Sequence, residues 1–444
     1  MALPRNTSSM GNPIFSRGLA SVGMLVVLAG GLITGDPCWG FHDGGTAPCD
    51  GCHTMHNVRG GMKTSPNAYL LQAASPSSLC LNCHEGQLPY QHFVSTSGAL
   101  LVDGFPPNMM TPGGDFAWLK KTYTWTSGSI IKREAGDRHG HNIVATDYGY
   151  ASDATLAVAP GGSYPAQRLH CTSCHDPHGR YRVLADGTVG TTGIPIEGSG
   201  SISAGGVARN PVAGRSGVGT YRLLAGVGYQ PPFLTGQAFT ANPPAAMAPA
   251  SYNRAESTAQ TRVAYGSNVS EWCGNCHLTG GSGSLFHHQY GHTTQNLAGV
   301  ISDNYNRYVK TGDLSGTSNS SFTSLVPFQM ELTNAPRDRN SMAAVACSDG
   351  SCLTGPGTQE TISCLTCHRA HASGWRAIMR WNPDAALIVC GGVYPGIGTG
   401  SPPEYNMGRT ESETRRAYYD RPASVFALNQ NRLCEKCHPD GPLN

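Results

Sequence analysis

Apolar residues come in short bursts along this chain, separated by stretches rich in glycine, proline, serine and alanine. One burst stands apart. It runs from Leu19 to Ile33, behind Arg5 and Arg17, and is followed by Thr34-Gly-Asp-Pro37. A charged start, a brief apolar run and a small-residue exit form the secretory pattern, so residues 1–40 are expected to be an export signal cut after Gly40. The run is about 15 residues long and broken by glycines, short of the ~20 needed to span a bilayer. Gly35-Asp36-Pro37 ahead of Cys38 lacks the small apolar residues that precede a lipidated cysteine. No later stretch could cross a membrane, so residues 41–444 are expected to form one soluble domain outside the cytoplasm.

Beyond the signal, periodicity is weak. Helical spacing predicts short helices over Ser65–Ala74, Asn304–Thr311, Gly374–Arg380 and Ser412–Tyr419, and Ile143–Thr146 predicts a brief strand. The stretch 185–250 predicts loop. Five tryptophans (Trp118, Trp125, Trp272, Trp375 and Trp381) are expected in the interior. The fold class is therefore mostly irregular chain with short helices and very little β structure. Composition agrees. Charged residues make 13% of the chain, about half the usual share of roughly 25%. With 57 glycines and 30 prolines in 444 residues, much backbone must run in turns, and some further core material must offset its entropy. A net charge of +2 gives no reason to expect a nucleic acid partner.

The spacing of the 16 cysteines supplies that core material. Cys-x-x-Cys-His occurs six times: at Cys49, Cys52 and His53; Cys80, Cys83 and His84; Cys171, Cys174 and His175; Cys273, Cys276 and His277; Cys364, Cys367 and His368; and Cys434, Cys437 and His438. Chance would give the pattern about 0.02 times. Two thiols three positions apart reach both vinyl groups of one porphyrin, and the next imidazole binds its iron, which is how haem c is attached. Zinc also uses Cys-x-x-Cys pairs, but gives no reason for a histidine after every second cysteine. Six haem c groups are therefore expected, stacked into a core that the chain wraps. Of the cysteines left over, Cys347 and Cys352 flank the turn-forming Ser-Asp-Gly-Ser and predict a small disulfide loop. Cys390 has no assigned role.

The second axial ligand separates an electron carrier from an enzyme. The chain has 17 histidines, and those outside the motifs suffice to close every iron. His56, His178 and His371 each follow a motif histidine by three residues, so each points away from its own iron and towards a neighbouring haem. His92, His141 and His292 complete the expected distal set, with His42, His139, His170, His287 and His288 in reserve. Methionines are better read as packing. Closed bis-histidine irons predict low potentials and no substrate site. A reductase with one open iron and a monomeric periplasmic carrier are the competing readings. Twelve propionates would bring the oxidised protein to about −5 and the reduced one to about −11.

Several segments carry a resemblance: Phe41-His-Asp-Gly-Gly45, Cys49 through His56, Met110 through Trp118, Gly140-His-Asn-Ile-Val144, Tyr164 through Cys171, Thr261 through Gly266 and Cys364 through Gly374. They are similar to the hexahaem outer-surface cytochromes of metal-reducing bacteria, which polymerise into filaments. The resemblance covers most of 41–444 and is weakest near 320–360 and 382–410, where Cys347, Cys352 and Cys390 depart from the pattern. It implies extracellular electron transfer to metal oxides or partner cells. It also implies that His56 leaves its own subunit for the fifth haem of the next. Such a head-to-tail contact does not close on itself and builds a filament.

Overall fold

The computed structural model describes residues 49–54, 58–59, 62–63, 68–86, 93–191, 194–200, 210–232, 234–249, 261–277, 300–330, 339–347 and 349–439. Among these, no α-helix exceeds nine residues, and the sheets are four two-stranded pairs and one of three strands. The expected irregular fold is what the chain adopts. All described residues lie in the compact unit Trp39–Asn444. The expected export signal lies outside the described residues.

Two of the predicted helices form. Glu411–Ala417 matches the expectation at 412–419 and owes its start to a capping box, in which Glu413 N–H donates to Thr410 Oγ1 at 3.2 Å and Thr410 N–H to Glu413 Oε2 at 3.0 Å. Left-handed Tyr419 and Asp420 follow its end. The helix expected from Asn304 starts earlier, as Val300–Arg307. The other two expectations fail for a shared reason. Within 65–74 and 374–380 the chain makes a tight corner at Tyr69–Leu70 and at Ala377–Ile378, with both residues at positive φ. Ile143–Thr146 is no strand either. Only Ala145 pairs, in a single bridge to Tyr150. The longest sheet element, a hairpin of Tyr123–Ser127 against Ile130–Glu134, was not foreseen. Its signals were the alternation Tyr-Thr-Trp-Thr and the Gly128-Ser129 turn, where Gly128 takes φ +60°. The described residues of 185–250 are loop apart from two-residue strands and one short helical turn.

The apolar interior is divided into separate patches, and three of them lie against motif cysteines. Trp118, Trp375, Trp381, Tyr394 and Tyr418 pack together with Cys367 and Cys437 on their edge. Leu81, Phe116, Ile143 and Tyr150 pack beside Cys171, and Tyr181, Tyr229 and Phe239 beside Trp272 and Cys276. Trp118, Trp375 and Trp381 are buried as expected, whereas Trp125 and Trp272 are only half-buried.

One ionic cluster pins the hairpin to this interior. His139 donates from Nε2 to Glu134 Oε1 at 2.7 Å and from Nδ1 to Trp118 O at 2.9 Å. Arg409 also donates to Glu134 and reaches Gly374 O at 2.8 Å. Its guanidinium lies over the rings of Tyr123 and Trp375. Burial alone would raise the Glu134 pKa, but Arg409 and His139 hold it down at about 2. A carboxylate with a folded pKa below its ordinary 4.5 stabilises fully above that value, and the contribution is lost as pH falls towards 2. Glu134→Ala, which strands the buried Arg409 guanidinium, should cost about 3 kcal/mol in urea unfolding at pH 7. Glu134→Gln should flatten the loss of stability between pH 4.5 and 2, and an unchanged pH profile would show that Glu134 is not its source.

Candidate functional site

The six motifs follow one another through the molecule in chain order. Burial and then the nearby Cys83 thiol raise the pKa of Cys52, which brings the first two motifs together. Cys80 and Cys171 hydrogen-bond each other, raising the former and lowering the latter. Burial and then Cys276 raise Cys174. Cys273 and Cys364 repeat the thiol-to-thiol bond, which brings Cys364 down to about 7. Burial, then Cys434 and Cys437, push Cys367 up to about 12. Every motif thus neighbours the next.

The backbone aims the motif imidazoles. Nδ1 of His53 donates to Tyr69 O at 2.8 Å, that of His175 to Arg222 O at 2.9 Å and that of His368 to Ala377 O at 2.7 Å. His277 does the same to Pro160 O at 3.1 Å. A hydrogen fixed on Nδ1 leaves the lone pair on Nε2, the form that ligates iron. Tyr69, Arg222 and Ala377 each open a corner of two left-handed residues, with φ of 61° and 55°, 49° and 56°, and 54° and 58°. The cradle is the same three times. The second corner residue accepts the amide following the histidine: Thr54 to Leu70, Asp176 to Leu223 and Arg369 to Ile378, at 2.8–2.9 Å. Two residues past the corner, Gln72, Ala225 and Arg380 donate back to the carbonyls of Cys52, Cys174 and Cys367. A left-handed non-glycine residue costs roughly 1–2 kcal/mol, and six are held here to orient three rings. These corners were missed in the sequence. They lie 16, 47 and 9 residues after their histidines, a spacing too irregular to signal them.

Three of the expected distal histidines are described, and each faces a motif histidine. His178 stacks opposite His53 with ring centres 6.2 Å apart and planes 10° apart. His371 faces His175 at 6.4 Å, and His141 faces His277 at 5.9 Å. Two Fe–N bonds of about 2 Å plus half of each ring span about 6 Å, so each pair has room for one iron. Segment 370–372 is clamped to place two of these rings. His371 N–H donates to Gly113 O at 2.7 Å, His141 N–H to His371 O at 2.9 Å, and His141 Nδ1 to Ala370 O at 2.7 Å. A Cβ on Gly113 would meet the His371 ring at 2.6 Å, so only glycine fits. Desolvation brings His141 to about 4 and His371 to about 3, keeping both neutral and able to ligate.

No protein-family model matches the chain. It is 44% identical over 433 residues to the c-type cytochrome OmcS of Geobacter sulfurreducens, covering 94% of this chain and 98% of that protein. This chain belongs to the OmcS family of c-type cytochromes. The cryo-EM structure of OmcS nanowires superimposes with a TM-score of 0.80 at 43% identity, over 89% of this chain and 98% of that one. A second filament structure, of outer membrane cytochrome S, gives 0.79 at 42%. OmcS filaments carry six haems per subunit.

The residues fit haem c on this chain's own geometry. All six motif histidines keep intermediate exposure, as rings lining slots would. The buried indole N–H groups of Trp375 and Trp381 meet no acceptor among the described residues, and haem propionates would supply some. Of the reserve histidines, His139 has both nitrogens committed to Glu134 and Trp118 and cannot ligate. His170 points Nδ1 at Val144 O, 3.2 Å away. His42, His56, His92, His287, His288 and His292 lie outside the described residues. Cys347 and Cys352 form the expected disulfide, and Cys390 is unbonded. His371→Ala should retain six haems by mass, while electron paramagnetic resonance shows one of them turning from low to high spin. A spectrum with all six still low spin would remove His371 from the ligand set.

Proposed function

We propose that the chain polymerises head to tail into a filament that carries electrons over long distances outside the cell, to acceptors such as metal oxides or partner cells. It is an electron-transfer protein, with no substrate turned over at an open iron. A rule repeated along the chain carries this reading. The histidine three residues after a motif histidine reaches back two motifs: His178 to His53 and His371 to His175. Among the described residues, no second ring stands opposite His368. His56 holds the same place after His53, the first of the six motif histidines. One more application of the rule joins His56 of one copy to His368 of another.

The ligand sets follow. His53 pairs with His178, His175 with His371, His277 with His141, and His368 with His56 of a neighbouring copy. His92 and His292 remain for His84 and His438. The twelve motif cysteines hold the porphyrins through thioethers. When bound, the haems supply reversible one-electron chemistry at iron and delocalised rings between which electrons pass. The chain fixes ring orientation through the corner carbonyls, keeps the imidazoles of His141 and His371 neutral by burial and places successive attachment points side by side. Residues 1–40 act as the export signal and 41–444 as one hexahaem domain. No helix among the described residues is long and apolar enough to cross a membrane.

The relatives support polymerisation, since OmcS is seen as nanowires. A contact between different faces of identical copies extends without closing. His56→Ala should yield monomers with six haems, one of them high spin, and no filaments by electron microscopy. Filaments of normal length from that variant would refute ligation between copies.

A further inference from the structure

Two junctions inside the chain are built alike. Ser77 stands three residues before Cys80, and its Oγ accepts the amide of Cys171, the first cysteine of the following motif, at 3.2 Å. Ser270 stands three residues before Cys273, and its Oγ accepts the amide of Cys364 at 3.0 Å. At both junctions the first cysteines of the two motifs also touch, Cys80 to Cys171 and Cys273 to Cys364. The second motif is joined to the third in this way, and the fourth to the fifth.

The first and sixth motifs are the unmatched ends of that series. Cys49 and Cys434, which would be the next touching pair, are both exposed. Among the described residues the amide of Cys49, at the open start of its helical turn, meets no side-chain acceptor. The residue three before Cys434 is Asn431. Its backbone amide is taken by Thr311 Oγ1 at 3.0 Å, and its Nδ2 donates to Glu435. Its side-chain oxygen, an acceptor like a serine hydroxyl, is thereby turned away from that contact. Asn431 sits just ahead of its helical turn at Leu433–Lys436, whereas the serines lie inside theirs. Its side chain is longer by one atom, which extends its reach.

Resting on the head-to-tail reading, we propose that Asn431 docks the first motif of the next copy by accepting the amide of Cys49, as Ser77 and Ser270 do within the chain. The partner is a second copy of this chain. The contact sets which end meets which, independently of the ligation by His56.

The test uses the full haem-loaded protein. Asn431→Ala should keep six haems and, as a monomer, give the same spectrum as the wild-type monomer, with only the haem at His368 lacking its second histidine. It should raise the concentration at which filaments appear by about tenfold. Asn431→Ser, which keeps a side-chain acceptor of one atom shorter reach, should recover part of that loss. Polymerisation of the alanine variant at the wild-type concentration would overturn the assignment, as would a filament structure with the Cys49 amide on another acceptor. If the alanine variant fails to load haem, a serine variant that loads haem yet polymerises no better than His56→Ala would also overturn it. The two ideas separate cleanly. Normal assembly of Asn431→Ala with none from His56→Ala defeats only the docking residue, whereas normal assembly of His56→Ala defeats the reading beneath it.

Discussion

An imidazole has two nitrogens, and iron needs the lone pair of one while something else holds the hydrogen of the other. Much of this backbone serves that constraint. At His53, His175, His277 and His368 a main-chain carbonyl holds Nδ1, and at the three odd-numbered motifs the carbonyl sits on a corner that L-residues enter only at a cost. A carbonyl cannot swing away as a side chain could, so the ring orientation is set by the fold. The rings of His141 and His371, which face motif histidines, are positioned with the same economy. One clamped segment, 370–372, lies between the strands of chain that carry Gly113 and Gly140.

The divided interior follows from the same arrangement. No single patch of side chains would stabilise a loop-rich chain of 444 residues, since burial on that scale needs a continuous apolar mass. The patches around Trp381, Phe116 and Phe239 each abut motif cysteines. They read as walls for large flat apolar groups more than as independent cores. The Glu134–His139–Arg409 cluster then ties the outer hairpin to one such wall, where bare hydrophobic contact is thin.

The sequence revealed the chemistry better than the path of the chain. Thiol and imidazole spacing in the motifs is a covalent requirement, so it could be read without any fold. The +3 positions of His178 and His371 were legible too, and these rings face His53 and His175. Helix at Gly374–Arg380 was misread because propensity knows nothing of a carbonyl that must turn towards His368. Ala377 and Ile378 are unremarkable helix residues forced into a left-handed corner by tertiary need. His139 looked like a spare ligand because composition counts histidines without seeing that both nitrogens are already engaged. The pairing of Ser77 with Cys171 and of Ser270 with Cys364 spans 94 residues in each case, and no local pattern could announce it.

The backward reach of the +3 histidines has a consequence for how such chains can vary. A structure in which each odd motif borrows from the one two ahead is periodic, with a period of two haems, and its subunit boundary is only a break in the polypeptide. Chains lengthened or shortened by whole periods would present the same two termini to one another. Selection could thus alter the size of the gene product without redesigning the joint, and the mature conductor would carry no seam to mark where one molecule stops.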